Sequence, residues 1–583
     1  MRLAPRTSTR ARARVAAGGL VAVLAVTLGA SATAADYADR THAVAELTTE
    51  TWAAVQPELV WTSSTAAFIA EGTVYIGGFR GNNISGTGVA SVSANSAPTA
   101  VDLPEPVVKV VGGTDNFDHT NASTTTWFAA LTENGEVYQW GRNYQGSIAS
   151  GSDGRPVKIT QYSPSGGTDR ADLPTIVDLS ASENQIFAMD AEGTMYAWGY
   201  AGHNLPNPVG GSTARTVPLP SNIAVDTRAG NANVGVASGG RIVPGTSNGA
   251  REVRWHRVYG GQNSSFGVTT EGLVYIWGYD SHIGRPTQSS TSDQRAPHSV
   301  EGLNALLFEK YPEHYHAADG TTLQAGDPQY WTTYDRIYQD MKGRDVCTGE
   351  FDITRAYDDS GCPVRQLSTG ARAFRVLLEN NEMYTWAAST GTFGWPTIGR
   401  YVSGTGTSGG GYQPGLIQTS QNGPTLEVHH FSAGTSALQA VTTDGRVYGW
   451  GANNWCQAIG THSTNGVADP TRNGGNCDTQ GSTSDTGLRP AGGVWYPTPV
   501  HDLPEGARIE SLGGTACTTW MTGEDGTMYA FGGSTVVGLS YRRCTNNSSH
   551  GYRIYNFNDA TVETPFGTPL TVRATATRVV FGS

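Results

Sequence analysis

The stretch Phe128-Ala129-Ala130-Leu131-Thr132-Glu133-Asn134-Gly135-Glu136-Val137-Tyr138-Gln139-Trp140-Gly141 decides how the chain folds. Two runs of β-prone residues flank an Asn-Gly pair, the combination that favours a two-residue turn whose twist matches its strands. The unit recurs along the sequence. Gly72, Gly135, Gly193, Gly272, Asn381, Gly445 and Gly526 hold the turn, preceded by Glu71, Asn134, Glu192, Glu271, Asn380, Asp444 and Asp525. Three residues beyond each turn stands Tyr75, Tyr138, Tyr196, Tyr275, Tyr384, Tyr448 or Tyr529. Five beyond it stands Trp140, Trp198, Trp277, Trp386 or Trp450, with Gly77 in the first copy and Phe531 in the last. Seven such units, none able to bury its own apolar face, imply a stack of supersecondary repeats.

Upstream of most hairpins runs a further β-rich segment: Val107 to Gly113, Ile176 to Ala181, Val253 to Gly261, Val364 to Gly370, Glu427 to Gly434 and Arg508 to Gly514. Downstream comes an extended run beside proline, such as Pro156 to Thr160 or Pro497 to Leu503. Four strands per unit is the content of a propeller blade. The sequence therefore predicts an all-β, seven-bladed β-propeller, closed into a ring that leaves only short sheet edges. The regular tyrosines and tryptophans are expected to pack between blades, with their polar atoms satisfied locally. The run Ala576 to Gly582 looks like an upstream strand without a hairpin, and is expected to pair with the hairpin around Gly72.

The series Val/Met-Tyr-x-Trp-Gly, continued by Asn143 and Gly146 in one copy and by Asn453, Gln457 and Gly460 in another, resembles the regulator of chromosome condensation repeat. The resemblance covers roughly residues 60–583 and implies the same seven-bladed ring. The turn positions lie 63, 58, 79, 109, 64 and 81 residues apart, longer and less even than in the family, and Cys456 stands where the family has glycine. Relatives of this kind act through protein contact: as guanine-nucleotide exchange factors inside cells and, in one exported bacterial case, as a β-lactamase inhibitor. The chain reads as an exported, bacterial-type member, away from intracellular GTPases.

That address comes from the first residues. Arg2, Arg6, Arg10, Arg12 and Arg14 precede an apolar stretch from Val15 to Leu28, followed by Ala32-Thr33-Ala34. A basic head, a short apolar core and a small-x-small exit describe a secretory signal peptide over residues 1–34. The core is too short to span a bilayer. A lead-in over 35–60 and the propeller over 61–583 complete the expected domain plan, with secretion, no stable membrane insertion and a monomer. Removing five of the 38 basic residues while keeping all 50 acidic ones leaves about −17. Nucleic-acid affinity rests on phosphate neutralisation by Lys and Arg, so a nucleic-acid partner is not expected. No cofactor is implied by any motif.

Six cysteines in an exported chain suggest three disulfides. Grouping connections that emerge on one face of a blade gives Cys347–Cys362, Cys456–Cys477 and Cys517–Cys544. None shows the Cys-x-x-Cys spacing of a zinc site.

Propeller strands are scaffold, so recognition is expected in the insertions, about residues 221–251, 304–363, 461–495 and 533–563. The second contains a short helix near 328–342, with Asp327 as cap, Pro328 at its first position and Gly343 at its end. Tyr330, Trp331, Tyr334, Ile337, Tyr338 and Met341 share one face of that helix. This face either packs onto the disc or leaves aromatics exposed as anchors for a partner. The candidate binding patch is Tyr311, His314, Tyr315, His316, Tyr330, Trp331, Tyr334 and Tyr338. The competing interface is the opposite face, with the Gly-rich stretch 404–415 and the loops 456–495 and 533–563.

Catalytic groupings are scarce. His314-x-His316 with Glu313 and Asp319 could offer metal ligands, and Asp115, Asp118 and the Asp358-Asp359 pair could offer carboxylates, but no calcium-loop spacing results. His429-His430 sits beside an inner strand as a structural pair. The expectation is therefore a non-enzyme with no catalytic or metal residues, binding an extracellular protein or cell-envelope component. The alternative is an extracellular enzyme or carbohydrate binder with its site at an open axial mouth. An exchange-factor-like activity comes third.

Overall fold

The computed structural model describes residues between 60 and 532, apart from loop segments of which 114–125, 142–153, 201–215, 223–244, 279–293, 401–412 and 469–492 are the longest. The chain divides into two compact units, residues 47–579 and a smaller one that joins 1–46 to 580–583; the second lies outside the described residues.

Seven antiparallel sheets follow one another along the sequence. Six hold at least four strands, in the order first, second, third, outermost; the second, for example, pairs Val107–Gly113, Trp127–Thr132, Val137–Gly141 and Val157–Ile159. The seventh has three strands among the described residues, Ile509–Gly514, Thr518–Gly523 and Met528–Gly532. Neighbouring sheets meet chiefly through their first strands, which therefore surround the axis. The first strand of the first sheet, Val60–Thr62, also touches that of the seventh, so the ring closes. This is the all-β, seven-bladed propeller the repeats predict.

The turn positions explain the repeat. Gly72, Gly135, Gly193, Gly272, Asn381 and Gly445 all take φ between +65 and +82, the left-handed region that favours Gly and tolerates Asn. At Gly193 the carbonyl also accepts the N–H of Trp255 at 2.9 Å, tying the third hairpin to the first strand of the fourth blade. An added Cβ there would lie 2.7 Å from the Trp255 carbonyl oxygen. The turn residue is thus a joint between blades as well as a reversal within one.

The repeat aromatics are core. Trp140, Trp198, Trp277, Trp386 and Trp450 are fully buried. Three of their tyrosine companions point a hydroxyl at an acid of the same hairpin: Tyr138 donates to Glu136 at 3.0 Å, Tyr196 to Asp190 at 2.9 Å and Tyr384 to Glu382 at 2.7 Å. Burial, then the Glu136 carboxylate, pushes the Tyr138 phenol up to about 12. The tryptophans are less well served than expected. Trp198 Nε1 donates to Gln139 of the preceding blade at 3.1 Å, whereas the indole N–H groups of Trp140, Trp277 and Trp386 find no acceptor among the described residues.

Two expectations change. The place beside the second strand of the first sheet is held by Val60–Thr62; the terminal run 576–582, expected to pair with that hairpin, lies outside the described residues. The long insertion contains two helices rather than one: α1 (Glu301–Lys310) and α2 (Tyr330–Asp340). α1 follows directly from the outer strand of the fourth blade through Glu, Leu and Ala, all good helix formers. Its buried Asn304 accepts the N–H of Val274 at 2.8 Å and donates to the Val274 carbonyl at 3.1 Å, completing the pairing of that strand where the outer strand ends. α2 starts later than the sequence predicts: its N-cap is Gln329, with no side-chain cap hydrogen bond, while Asp327 stands in the turn before it and accepts from Gln329 N at 2.8 Å and Thr333 Oγ1 at 3.2 Å.

Candidate functional site

The eight aromatic and histidine residues of the predicted patch separate into two groups. Tyr311, Tyr315, Tyr334 and Tyr338 are buried and are not surface anchors. Each is a strut instead. Tyr315 Oη donates to the Gly272 carbonyl at 2.9 Å, Tyr338 Oη meets Tyr275 Oη at 2.6 Å, Tyr334 Oη meets Ser299 Oγ at 3.2 Å, and Tyr311 Oη accepts from Asn380 N at 3.2 Å. Both helices join the core shared by the third to fifth blades, with Phe308 stacked on Tyr334 at 5.1 Å. A helical face rich in aromatics buries a large area, and here the disc was near enough to take it. The remaining members are accessible: His314 is exposed, and His316, Tyr330 and Trp331 are half-buried. The opposite-face loops lie largely outside the described residues, as do Asp115 and Asp118.

Beyond the helices the insertion crosses the axial mouth. Cys347 and Cys362 are disulfide-bonded as expected, clamping the loop between them. Cys456 is also disulfide-bonded. Cys477, Cys517 and Cys544 lie outside the described residues. The clamped loop reaches the first strands of four blades. Asp358 Oδ2 and His256 Nε2 of the fourth are 2.5 Å apart, and the Arg355 carbonyl accepts from Arg257 Nη2. The Asp358 N–H donates to the carbonyl of Arg365 in the fifth. Tyr357 stacks on His430 of the sixth at 5.5 Å, and Arg355 lies 3.9 Å from Glu510 of the seventh. Ile353 packs on the cluster shared by the second and third blades. The loop is a plug.

What the plug sits on is a ring of equivalent positions. Six first strands carry a register shift at the same place, between Val107 and Lys109, Ile176 and Asp178, Trp255 and Arg257, Val364 and Gln366, Val428 and His430, and Ile509 and Ser511. A bulge re-aims side chains, and the residue after each is polar. Lys109 and Asp178 close on each other at 2.7 Å, and Gln366 bonds both the N–H and the carbonyl of Phe431. His430 is buried, and neither ring nitrogen has a hydrogen-bond partner among the described residues. Burial first, then the charges of His429, Arg365 and Arg355, hold its pKa down to about 3, so it is neutral. Burial pushes the Asp358 carboxyl up, but hydrogen bonds from His256 and Ser360 bring it below the usual carboxylate range.

Beside the plug, where the third and fourth blades meet the insertion, lies a pocket of about 290 Å³. Val177, Glu192, Arg254, His256, Asp345 and Cys347 are among its walls, and Arg254 pairs with Asp345 at 2.7 Å. Val177 is 37 % exposed, the one large hydrophobic residue so exposed among the described residues. Nothing in the sequence reading pointed to this pocket or to the bulge ring. The ring had a signal: Asp178, Arg257, Gln366, His430 and Ser511 each stand fifteen residues before a turn position. His314 and His316 do not join a metal-compatible group; among the described residues that group is His256, Asp358 and Cys362.

No protein-family model matches the chain. It is 25% identical over 384 residues to the human E3 ubiquitin-protein ligase HERC2, covering 60% of this chain and 7% of that protein. It is 23% identical over 293 residues to the Regulator of chromosome condensation of Xenopus laevis, covering 42% of this chain and 63% of that protein. The chain thus spans less than two thirds of the length of either relative. Among solved structures, Prp20p from Saccharomyces cerevisiae, studied for its binding to Gsp1p and histones, superposes with a TM-score of 0.45 and 14% identity over 86% of this chain and 87% of that one. These relatives support reading the seven blades as similar to repeats of the regulator of chromosome condensation type.

Proposed function

We propose that this chain is an exported, non-catalytic propeller that binds a protein or another macromolecular partner through surfaces built on its loops. One observation carries the reading: the axial mouth, where an enzyme or sugar binder of this shape would need an open concavity, is filled by the chain's own clamped segment. Recognition then moves to what stands around the plug. The pocket walled by Val177, Glu192, Arg254 and Asp345 offers apolar contact flanked by charge, and the accessible His314, Tyr330 and Trp331 of the insertion offer further contact. Its supporting elements are rigid, since the insertion is held by a disulfide and by buried tyrosine struts, and rigid surfaces lose less entropy on association. The disulfides fit an oxidising compartment, in keeping with the signal-peptide reading of residues 1–34. Protein contact is also the general mode of propellers of this repeat type.

The test is affinity capture with the mature protein from culture supernatant and cell envelope, run beside a Val177→Asp/Trp331→Ala variant. The reading expects a discrete partner retained by the wild type and lost by the folded variant. Hydrolysis of a polysaccharide by the wild-type protein, or equal capture by both proteins, would refute it.

A further inference from the structure

The corner where the plug meets the fourth blade holds chemistry that the binding role does not use. A His256 nitrogen, an Asp358 oxygen and the Cys362 sulfur lie within 4.8 Å of one another, all three residues buried. Cys347 sulfur is bonded to that of Cys362, so a fourth donor is already in place. While the disulfide is intact neither sulfur is a thiolate, and the corner is not a metal site. Breaking that bond changes the inventory to two thiols, an imidazole and a carboxylate: the Cys362 sulfur, the His256 nitrogen and the Asp358 oxygen already lie together, and the Cys347 sulfur stands next to that of Cys362. This is the donor set and number of a closed tetrahedral zinc site.

We propose that the Cys347–Cys362 clamp is interchangeable with a zinc ion held by Cys347, Cys362, His256 and Asp358. The exchange balances as follows. A dithiol reductant gives two electrons and two protons to the disulfide and becomes a disulfide itself; the S–S bond of the clamp breaks and two thiols form. Zinc then displaces both thiol protons to solvent. His256 Nε2, which donates its proton to Asp358 in the disulfide form, passes that proton to solvent while Nδ1 takes one up, and the freed Nε2 lone pair turns to the metal. His256 and Cys347 both line the 290 Å³ pocket, which gives reductant and metal a way in. The physical motive is burial. Two thiols beside a dry carboxylate and imidazole leave polar groups poorly matched, whereas the ion satisfies all four and keeps the plug seated.

The experiment uses the mature protein, reduced with a phosphine under argon, incubated with zinc, desalted and analysed for bound metal. Cobalt substitution supplies a second readout through its thiolate charge-transfer absorption. The reduced wild type is expected to retain a zinc ion that the oxidised protein does not. The Cys347→Ser/Cys362→Ser variant keeps the other four cysteines and should lose that zinc and the cobalt band. His256→Gln should weaken zinc binding at least about tenfold, since removing even an outer-shell partner costs that much. Equal zinc in the double-serine variant, zinc on the oxidised protein, or a reduced wild type that takes up none, folded or unfolded, overturns the proposal.

Discussion

Replacing Gly193 by alanine tests whether the turn residue joins two blades or merely reverses one. Gly445 is the control, because it takes the same left-handed backbone, φ +82 against +76, in an equivalent hairpin. Both substitutions place a Cβ in a conformation that costs about 1–2 kcal/mol for an L-residue, offset by about 0.4–1 kcal/mol from a stiffer unfolded chain. Their surroundings differ. At Gly445 the nearest atom to the new Cβ is Arg508 Cγ at 3.6 Å, ordinary contact with a flexible side chain. At Gly193 it meets the Trp255 carbonyl oxygen at 2.7 Å, and the Trp255 N and Arg254 Cβ at 3.1 Å, so the first strand of the fourth blade must move. That adds about 1–3 kcal/mol of overpacking, and about 1 kcal/mol more if the hydrogen bond from Trp255 to Gly193 weakens. Urea unfolding of the mature protein, followed by tryptophan fluorescence, should show Gly445→Ala within about 1 kcal/mol of wild type and Gly193→Ala about 2–4 kcal/mol below it. Equal losses would refute the inter-blade role of the turn.

Three further outcomes follow from the same structure. Tyr334→Ala should cost about 3–5 kcal/mol in unfolding experiments because the ring is core, whereas His314→Ala should change stability by less than about 0.5 kcal/mol. Cys347→Ser/Cys362→Ser opens a clamp of sequence separation 15 and should lower oxidised-state stability by about 3 kcal/mol, read from the urea midpoint. His430 stays neutral in the folded protein to about pH 3 but titrates near 6.5 when unfolded, so between those values the unfolded state binds the extra proton. Stability should therefore fall with decreasing pH through that window, by about 1.4 kcal/mol per unit from this residue. His430→Phe should remove the slope; an unchanged pH profile in that variant would contradict the assignment.

The blade scaffold was legible because it is written locally. Asn134-Gly135, Tyr138 and Trp140 repeat a turn, a buried hydroxyl and a buried ring at fixed distances, and fixed local geometry demands fixed local residues. α2 was legible through the spacing of its buried Tyr334, Ile337 and Tyr338, although it starts at Tyr330 rather than beside Asp327. α1 was missed because no capping side chain announces it; Val300 precedes it without one. The site was harder, since exposure is decided by distant partners. Tyr334 and Trp331 share a helical face, yet Phe308 and Ser299 bury the first while the second stays half-open. Plug contacts such as Tyr357 with His430 join residues 73 positions apart, beyond any periodicity. The first strand of the first blade was missed on a similar point: Val60 to Thr62 is too short to stand out in sequence but fills the edge in space.

The account turns on the mouth being shut by the chain itself, and amide hydrogen exchange of the mature protein reads that directly. In the plug the N–H groups of Val346 and Cys347 donate to the Thr270 carbonyl at 2.8 Å, that of Asp358 to the Arg365 carbonyl at 2.6 Å, and that of Ser360 to Asp358 Oδ1 at 2.8 Å. A seated plug predicts that these amides exchange as slowly as those of the neighbouring blade strands. Exchange at the rate of an open loop, while the strands around it stay protected, would mean that the mouth is open and that recognition could lie at its centre.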